Sequence, residues 1–170
     1  LIKGHLAIMD KYDPKHRVGL IVDEWGTWFT VEPGTNPGFL YQQNTMRDAM
    51  VAAINLNLFN NHADRVVMAN LAQIVNVLQA VILTDGDQML LTPTYHVFDL
   101  FKAHQDATLI PSEIECCEAA EGVQSITASA SVKDGVITVT AANVDCEKAQ
   151  QVTLDIANCD VKKVTARILT

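Results

Sequence analysis

The run Val18-Gly19-Leu20-Ile21-Val22, followed by Asp23-Glu24-Trp25-Gly26, constrains this chain more than any other stretch. A short apolar run rich in β-branched residues reads as a strand buried on both faces, the habit of parallel sheets. Its abrupt end delivers two carboxylates and an indole to the C-terminal rim, where α/β architectures do their chemistry.

Around that strand the pattern alternates. Leu1 to Tyr12 places Ile2, Leu6 and Met9 at helical spacing, and Asp13-Pro14 stops the helix. Gly26 to Gly38 is a long loop holding Trp28 and Phe29. Asn36-Pro37 is a helix start, and the spacing predicts a helix from there to about Phe59, with Met46, Met50, Ala53 or Ile54, and Leu58 as its buried stripe. Val66 to Ala69 is a second short buried strand. Ile74 to Leu83 fits either a short helix or a loop across the rim, and Asp85-Gly86-Asp87 is a turn. Thr92-Pro93 opens a further helix, with Tyr95 and Phe98 along one side and His104 near its end.

At about Thr108 the period changes from helical to two. Ile126, Ala128, Ala130 and Val132 alternate with polar residues, Asp134-Gly135 signals a hairpin, and Ile137, Val139 and Ala141 alternate again. Val152, Leu154 and Ile156, then Val164, Ala166 and Ile168, predict two more strands. The expected fold class is α/β plus all-β. Residues 1–107 read as the last βα units of a (β/α)8 TIM barrel, and residues 108–170 as part of an antiparallel β-sandwich. Two parallel strands cannot bury both their faces unaided, so the chain is expected to belong to a larger body. Leu1 is not an initiator Met and the last predicted strand runs into Thr170, so the natural protein is expected to extend past both ends. The compartment, whether cytoplasmic, periplasmic or secreted, stays open.

Twelve Lys and Arg against 20 Asp and Glu, net −8, is the wrong sign for tracking phosphate backbones, so no nucleic-acid partner is expected. No apolar run approaches the ~20 residues of a membrane-spanning helix, and no membrane partner is expected. Cys116, Cys117, Cys146 and Cys159 form no Cys-x-x-Cys pair and read as ordinary buried thiols in preference to a disulfide framework, the alternative that stays open. His62 and Asp64 precede a strand, on the side of a barrel that serves stability, and lack a third zinc ligand. No metal and no cofactor are expected.

The chemistry gathers on one rim. Glu24, flanked by Asp23 and Trp25, is placed where a carboxylate is desolvated and close to a neighbouring charge, the surroundings that tune an acid. Trp25, Trp28 and Phe29 can stack on a sugar ring or plug the core. Carboxylates, two Trp and a Gly/Pro loop without a glycine-rich phosphate cradle favour carbohydrate over nucleotide.

Four motifs stand in order: Val22-Asp23-Glu24-Trp25-Gly26-Thr27-Trp28, Glu32-Pro33-Gly34-Thr35-Asn36-Pro37-Gly38, Asn60-Asn61-His62-Ala63-Asp64-Arg65-Val66 and Leu71-Ala72-Gln73-Ile74-Val75-Asn76-Val77. Together they resemble the C-terminal part of the family 51 α-L-arabinofuranosidases of the glycoside hydrolases. That resemblance implies a (β/α)8 barrel followed by a β-sandwich. It also implies retaining removal of terminal arabinofuranosyl groups from hemicellulose oligosaccharides or polysaccharides, and a homo-oligomer in the complete enzyme. Glu24 corresponds to the nucleophile, Gln73 to a substrate contact, and Trp28 to a weaker candidate on the aglycone side. The acid/base follows an Asn in that family, and no Asn-Glu pair occurs here, so it lies outside this chain and the chain alone is expected to be inactive.

The competing reading is a non-catalytic carbohydrate-binding or assembly module in the β-rich tail. Residues 109–170 contain no Phe, Tyr or Trp to build a sugar platform.

Overall fold

Pro14 pushes the residue before it out of helical geometry. In the computed structural model, which describes residues 1–170, helix α1 (Ile2–Tyr12) ends at Asp13 with φ −134°. Asp13 accepts the Val18 N–H at 2.8 Å and the Arg65 guanidinium at 2.9 Å. Buried Arg65 also reaches Asp10 at 2.7 Å and the carbonyls of Asp13 and Val18. The Val18 N–H bond, then Arg65 and Arg17, hold the Asp13 carboxyl below its ordinary range. This clamp sets the starts of strands β1 (Leu20–Trp25) and β2 (Val66–Leu71), which pair in parallel.

Helices cover one face of the pair. Leu20, Val22, Ala69 and Leu71 pack into the core, whereas Ile21, Val67 and Met68 are exposed. The expected burial on both faces is therefore realised on one, because both packed helices lie on the same side.

Helix α2 (Met46–Asn60) starts well after the Asn36-Pro37 signal. Asn36 does cap a turn, accepting the Gly38 N–H, but that 3₁₀ turn (Pro37–Phe39) ends at Leu40 in left-handed conformation (φ 55°). The helix proper begins at Thr45, where Thr45 and Asp48 form a reciprocal capping box. The buried stripe is Ala49, Ala52, Ala53 and Phe59 rather than one led by Met46, which is 38% exposed. Small alanines let α2 lie close to α3 (Pro93–Phe101), which Thr92 caps as expected.

The Ile74–Leu83 stretch is not a helix. It crosses the rim as a loop, bridged to Tyr41 at Leu78, and then enters the hairpin of β3 (Ile82–Asp85) and β4 (Gln88–Leu91) turned at Gly86. The tail places β5 (Thr108–Ile110) beside β8 (Ile126–Lys133), and β8 beside β9 (Val136–Asn143), all antiparallel. A separate ribbon pairs β6 (Glu118–Ala120) with β7 (Val123–Gln124). Asp134 and Gly135, both at positive φ (50° and 75°), make the two-residue turn that the hairpin signal predicts.

The polar face of this hairpin, not its apolar one, packs on α2. Asn57, fully buried, accepts from Ser129 and Thr140 (both 2.8 Å) and donates to the Thr127 carbonyl at 3.2 Å. His104 bonds Ser131 at 2.7 Å and Thr140 at 3.0 Å, and burial pushes its pKa below 6.5.

The two strands expected over Val152–Ile156 and Val164–Ile168 do not form. Val152, Leu154, Val164 and Ile168 are exposed, because alternation makes a strand only beside a hydrogen-bonding neighbour and none lies along this stretch. The tail is held instead by Leu169 against the core and by Arg167, which bonds Asp99; Lys102 first and then Arg167 hold the Asp99 pKa down to about 2. Cys117, Cys146 and Cys159 are exposed and Cys116 is half-buried, correcting the expectation of buried thiols: no sheet covers them. No helix is long and apolar enough to cross a membrane.

Thr45→Ala in the complete protein should lower stability by about 1 kcal/mol in urea unfolding, the usual worth of an N-cap. His104 gives a pH dependence of known sign. Its folded pKa lies below the unfolded 6.5, so the unfolded state binds more protons between the two. The stabilisation is complete above 6.5 and is lost as pH falls toward the lowered value. Thermal unfolding followed from about pH 8 down to about pH 5 should show a slope that His104→Gln flattens.

Candidate active site

Strand pairing decides where the carboxylates point. Val22 stands opposite Ala69 and Trp25 opposite Leu71, so β1 uses three steps where β2 uses two. The register slips by one across Asp23 and Glu24. A bulge of this kind re-aims side chains and is common beside active sites. It lets Trp25 return to the core side while Asp23 and Glu24 are both exposed.

The desolvated setting expected for Glu24 is therefore not found in this chain. Its carboxylate is solvent-exposed and has no hydrogen-bond partner within the protein, because no element of the chain packs over the bulge.

Trp25 fills the core, the plainer of its two expected roles. It is 8% exposed, with its ring edge-on to Phe59 (5.4 Å between centroids) and stacked on Phe98 (6.2 Å). Its carbonyl accepts the Ala72 N–H at 3.0 Å, which ties the exit of β1 to the exit of β2. Gln73 comes next, exposed, after a cis peptide bond. Trp28 projects from the loop after β1 and is 70% exposed. Glu24, Trp28 and Gln73 thus lie at the same C-terminal end of the parallel pair, on two adjacent exits.

Supporting side chains that sequence reasoning missed lie around and behind them. Arg47 covers the Phe29 ring at 3.6 Å. Gln42 accepts the Phe29 N–H at 2.9 Å, and Asn44 holds the Ala80 carbonyl and Thr94. Gln79 is fully buried beneath the rim. Its signal was available, one of two amides with Asn76 in the otherwise apolar run Ile74–Leu83.

His62 and Asp64 are at the opposite end. They line a concavity of about 340 Å³ with Lys3, Asp10 and Arg65, where Asp64 lies 3.5 Å from His16. This is the end of the parallel pair at which both strands begin.

Comparisons with known proteins agree with the sequence motifs. The family described as "Alpha-L-arabinofuranosidase C-terminal domain" matches residues 23–170. An intracellular exo-α-L-arabinofuranosidase of Bacteroides ovatus is 49% identical over the whole of this chain and 34% of its own length. The crystal structure of the GH51 arabinofuranosidase from Xanthomonas axonopodis pv. citri superposes with a TM-score of 0.80 at 56% identity, over 84% of this chain and 30% of that one. The α-L-arabinofuranosidase from Thermotoga maritima, solved as an arabinose complex, gives 0.66 at 26% identity, over 84% of this chain and 33% of that one. The chain spans about a third of the length of these relatives. It belongs to the α-L-arabinofuranosidases of glycoside hydrolase family 51, of which it represents the C-terminal portion.

Proposed function

We propose that this chain supplies the nucleophile half of a retaining α-L-arabinofuranosidase, with Glu24 as nucleophile. The observation that carries the reading is the register slip in β1, which turns the Glu24 carboxylate outward at the strand's end while Trp25 locks the backbone behind it. A nucleophile must be both free to attack and fixed in place, and this arrangement supports both demands.

In the complete enzyme the Glu24 carboxylate attacks the anomeric carbon while a second carboxylic acid, about 5 Å away across the scissile bond, protonates the departing aglycone oxygen. The product is a covalent arabinosyl ester. Water then opens it, giving its proton to the same second residue now acting as base, and arabinose leaves with retained configuration. Gln73 binds sugar hydroxyls and Trp28 lines the aglycone side. The substrate class is arabinose-containing hemicellulose oligosaccharide or polysaccharide.

The acid/base comes from another part of the enzyme, since no Asn-Glu pair occurs in these residues. Residues 1–107 serve as the last βα units of the (β/α)8 barrel and residues 108–170 as part of the β-sandwich. The exposed Ile21, Val67 and Met68 support this division, because a barrel interior covers such a face. The complete enzyme is expected to be a homo-oligomer.

Glu24→Ala in the complete enzyme should reduce turnover of an aryl α-L-arabinofuranoside by on the order of 10⁴-fold or more. Azide should restore aglycone release and give the inverted azide product; undiminished activity without azide rules the assignment out. The 170 residues alone should release no arabinose from the same substrate.

A further inference from the structure

We propose that Gln79 is a positioning residue for the turn that carries the nucleophile, an inference resting on the reading of Glu24 above. Gly26 leaves β1 with φ +150°, and a Cβ there would stand 2.1 Å from Gln79 Nε2 and 3.1 Å from the Ala72 carbonyl. The Gln79 amide is thus packed directly against the backbone two residues beyond Glu24.

The flanks of Gln79 are pinned. On one side the Leu78 N–H donates to the Leu40 carbonyl at 3.1 Å. On the other, the Ala80 carbonyl accepts from Thr92 at 2.8 Å and Asn44 at 3.2 Å. The amide is therefore presented to Gly26 by a rigid support.

Its chemistry is unlike that of core filler. Gln79 is fully buried, yet neither Nε2 nor Oε1 has a partner within the protein. The Trp25 indole N–H and the Thr27 hydroxyl, on either side of Gly26, are buried in the same condition. Buried polar groups are nearly always partnered, by ordered water where the site is polar enough. The three side chains flank or face one glycine and are complementary in kind: the indole and amide N–H groups donate, the amide oxygen accepts, and the hydroxyl does either.

A Leu or Met at this position would fill the space without burying an amide. What the amide adds is a flat polar group packed against Gly26, which limits where the chain turns between Trp25 and Thr27. These residues fix the height of Glu24 on one side and of Trp28 on the other. Strained backbone and exceptional buried polar groups concentrate at such sites.

Gln79→Met in the complete enzyme keeps the volume and removes both polar atoms. The expected result with an aryl α-L-arabinofuranoside is a kcat lower by roughly 10- to 100-fold, the penalty of a misplaced reacting group, at a KM within about threefold of wild type. A packing role would leave kcat per folded molecule unchanged, and kcat within about twofold of wild type overturns the proposal. Should Gln79→Met not fold, Thr27→Val removes one member of the set at equal shape. A kcat reduced by about threefold or more then supports the proposal, and an unchanged kcat overturns it. Glu24→Ala measured alongside separates the two readings. Loss of activity with azide rescue keeps the nucleophile assignment whatever Gln79→Met does, and full activity removes that assignment independently.

Discussion

The packing of one indole sets the geometry of the rim. Trp25 stands at the exit of β1 between Phe59 of α2 and Phe98 of α3, and its carbonyl takes the first N–H beyond β2. Four elements therefore meet on one residue. Burying so large a ring is worth several kcal/mol, of the order of 3–5 by truncation. That energy enforces the bulge: for Trp25 to reach the core, the two residues before it must share a single place opposite β2. The exposure of Asp23 and Glu24 is the geometric consequence of a hydrophobic demand next door.

Two polar devices frame this centre. At the far end of the parallel pair, Arg65 gathers Asp10, Asp13 and the Val18 carbonyl, and sets where both strands begin. At the junction with the antiparallel sheet, Asn57 and His104 satisfy the buried hydroxyls of Ser129, Ser131 and Thr140. Such seams give direction more than affinity, since partnered buried polar groups contribute little net energy but are costly to leave unpaired. The sheet is thereby held in one orientation on α2, and α2 in turn carries the ring packed against Trp25.

Much of this was legible in the residues. The short apolar runs at Val18 and Val66 do become paired parallel strands, Asp13-Pro14 and Thr92-Pro93 do bound helices, and Asp134-Gly135 does turn a hairpin. These signals are local, and local chemistry decided them. What was not legible depended on partners distant in sequence. Asn36-Pro37 made a turn rather than a helix because Leu40 adopts left-handed geometry beside the loop at Leu78. The alternating tail lacks a neighbouring strand. The serine face of β8 is buried because Asn57 lies 72 residues from Ser129 and meets it only in three dimensions. At the site, the motif located Glu24, Trp28 and Gln73 on one rim, but the bulge that aims Glu24 follows from pairing register, which no single strand encodes.

The role proposed for Glu24 is to form the covalent bond to the sugar. Its most direct test is to treat the complete enzyme with a slowly hydrolysed 2-fluoro arabinofuranosyl inactivator and map the labelled peptide by mass spectrometry. One 2-deoxy-2-fluoroarabinosyl adduct is expected, as an ester on Glu24. An adduct on any other carboxylate, Asp23 included, would contradict it.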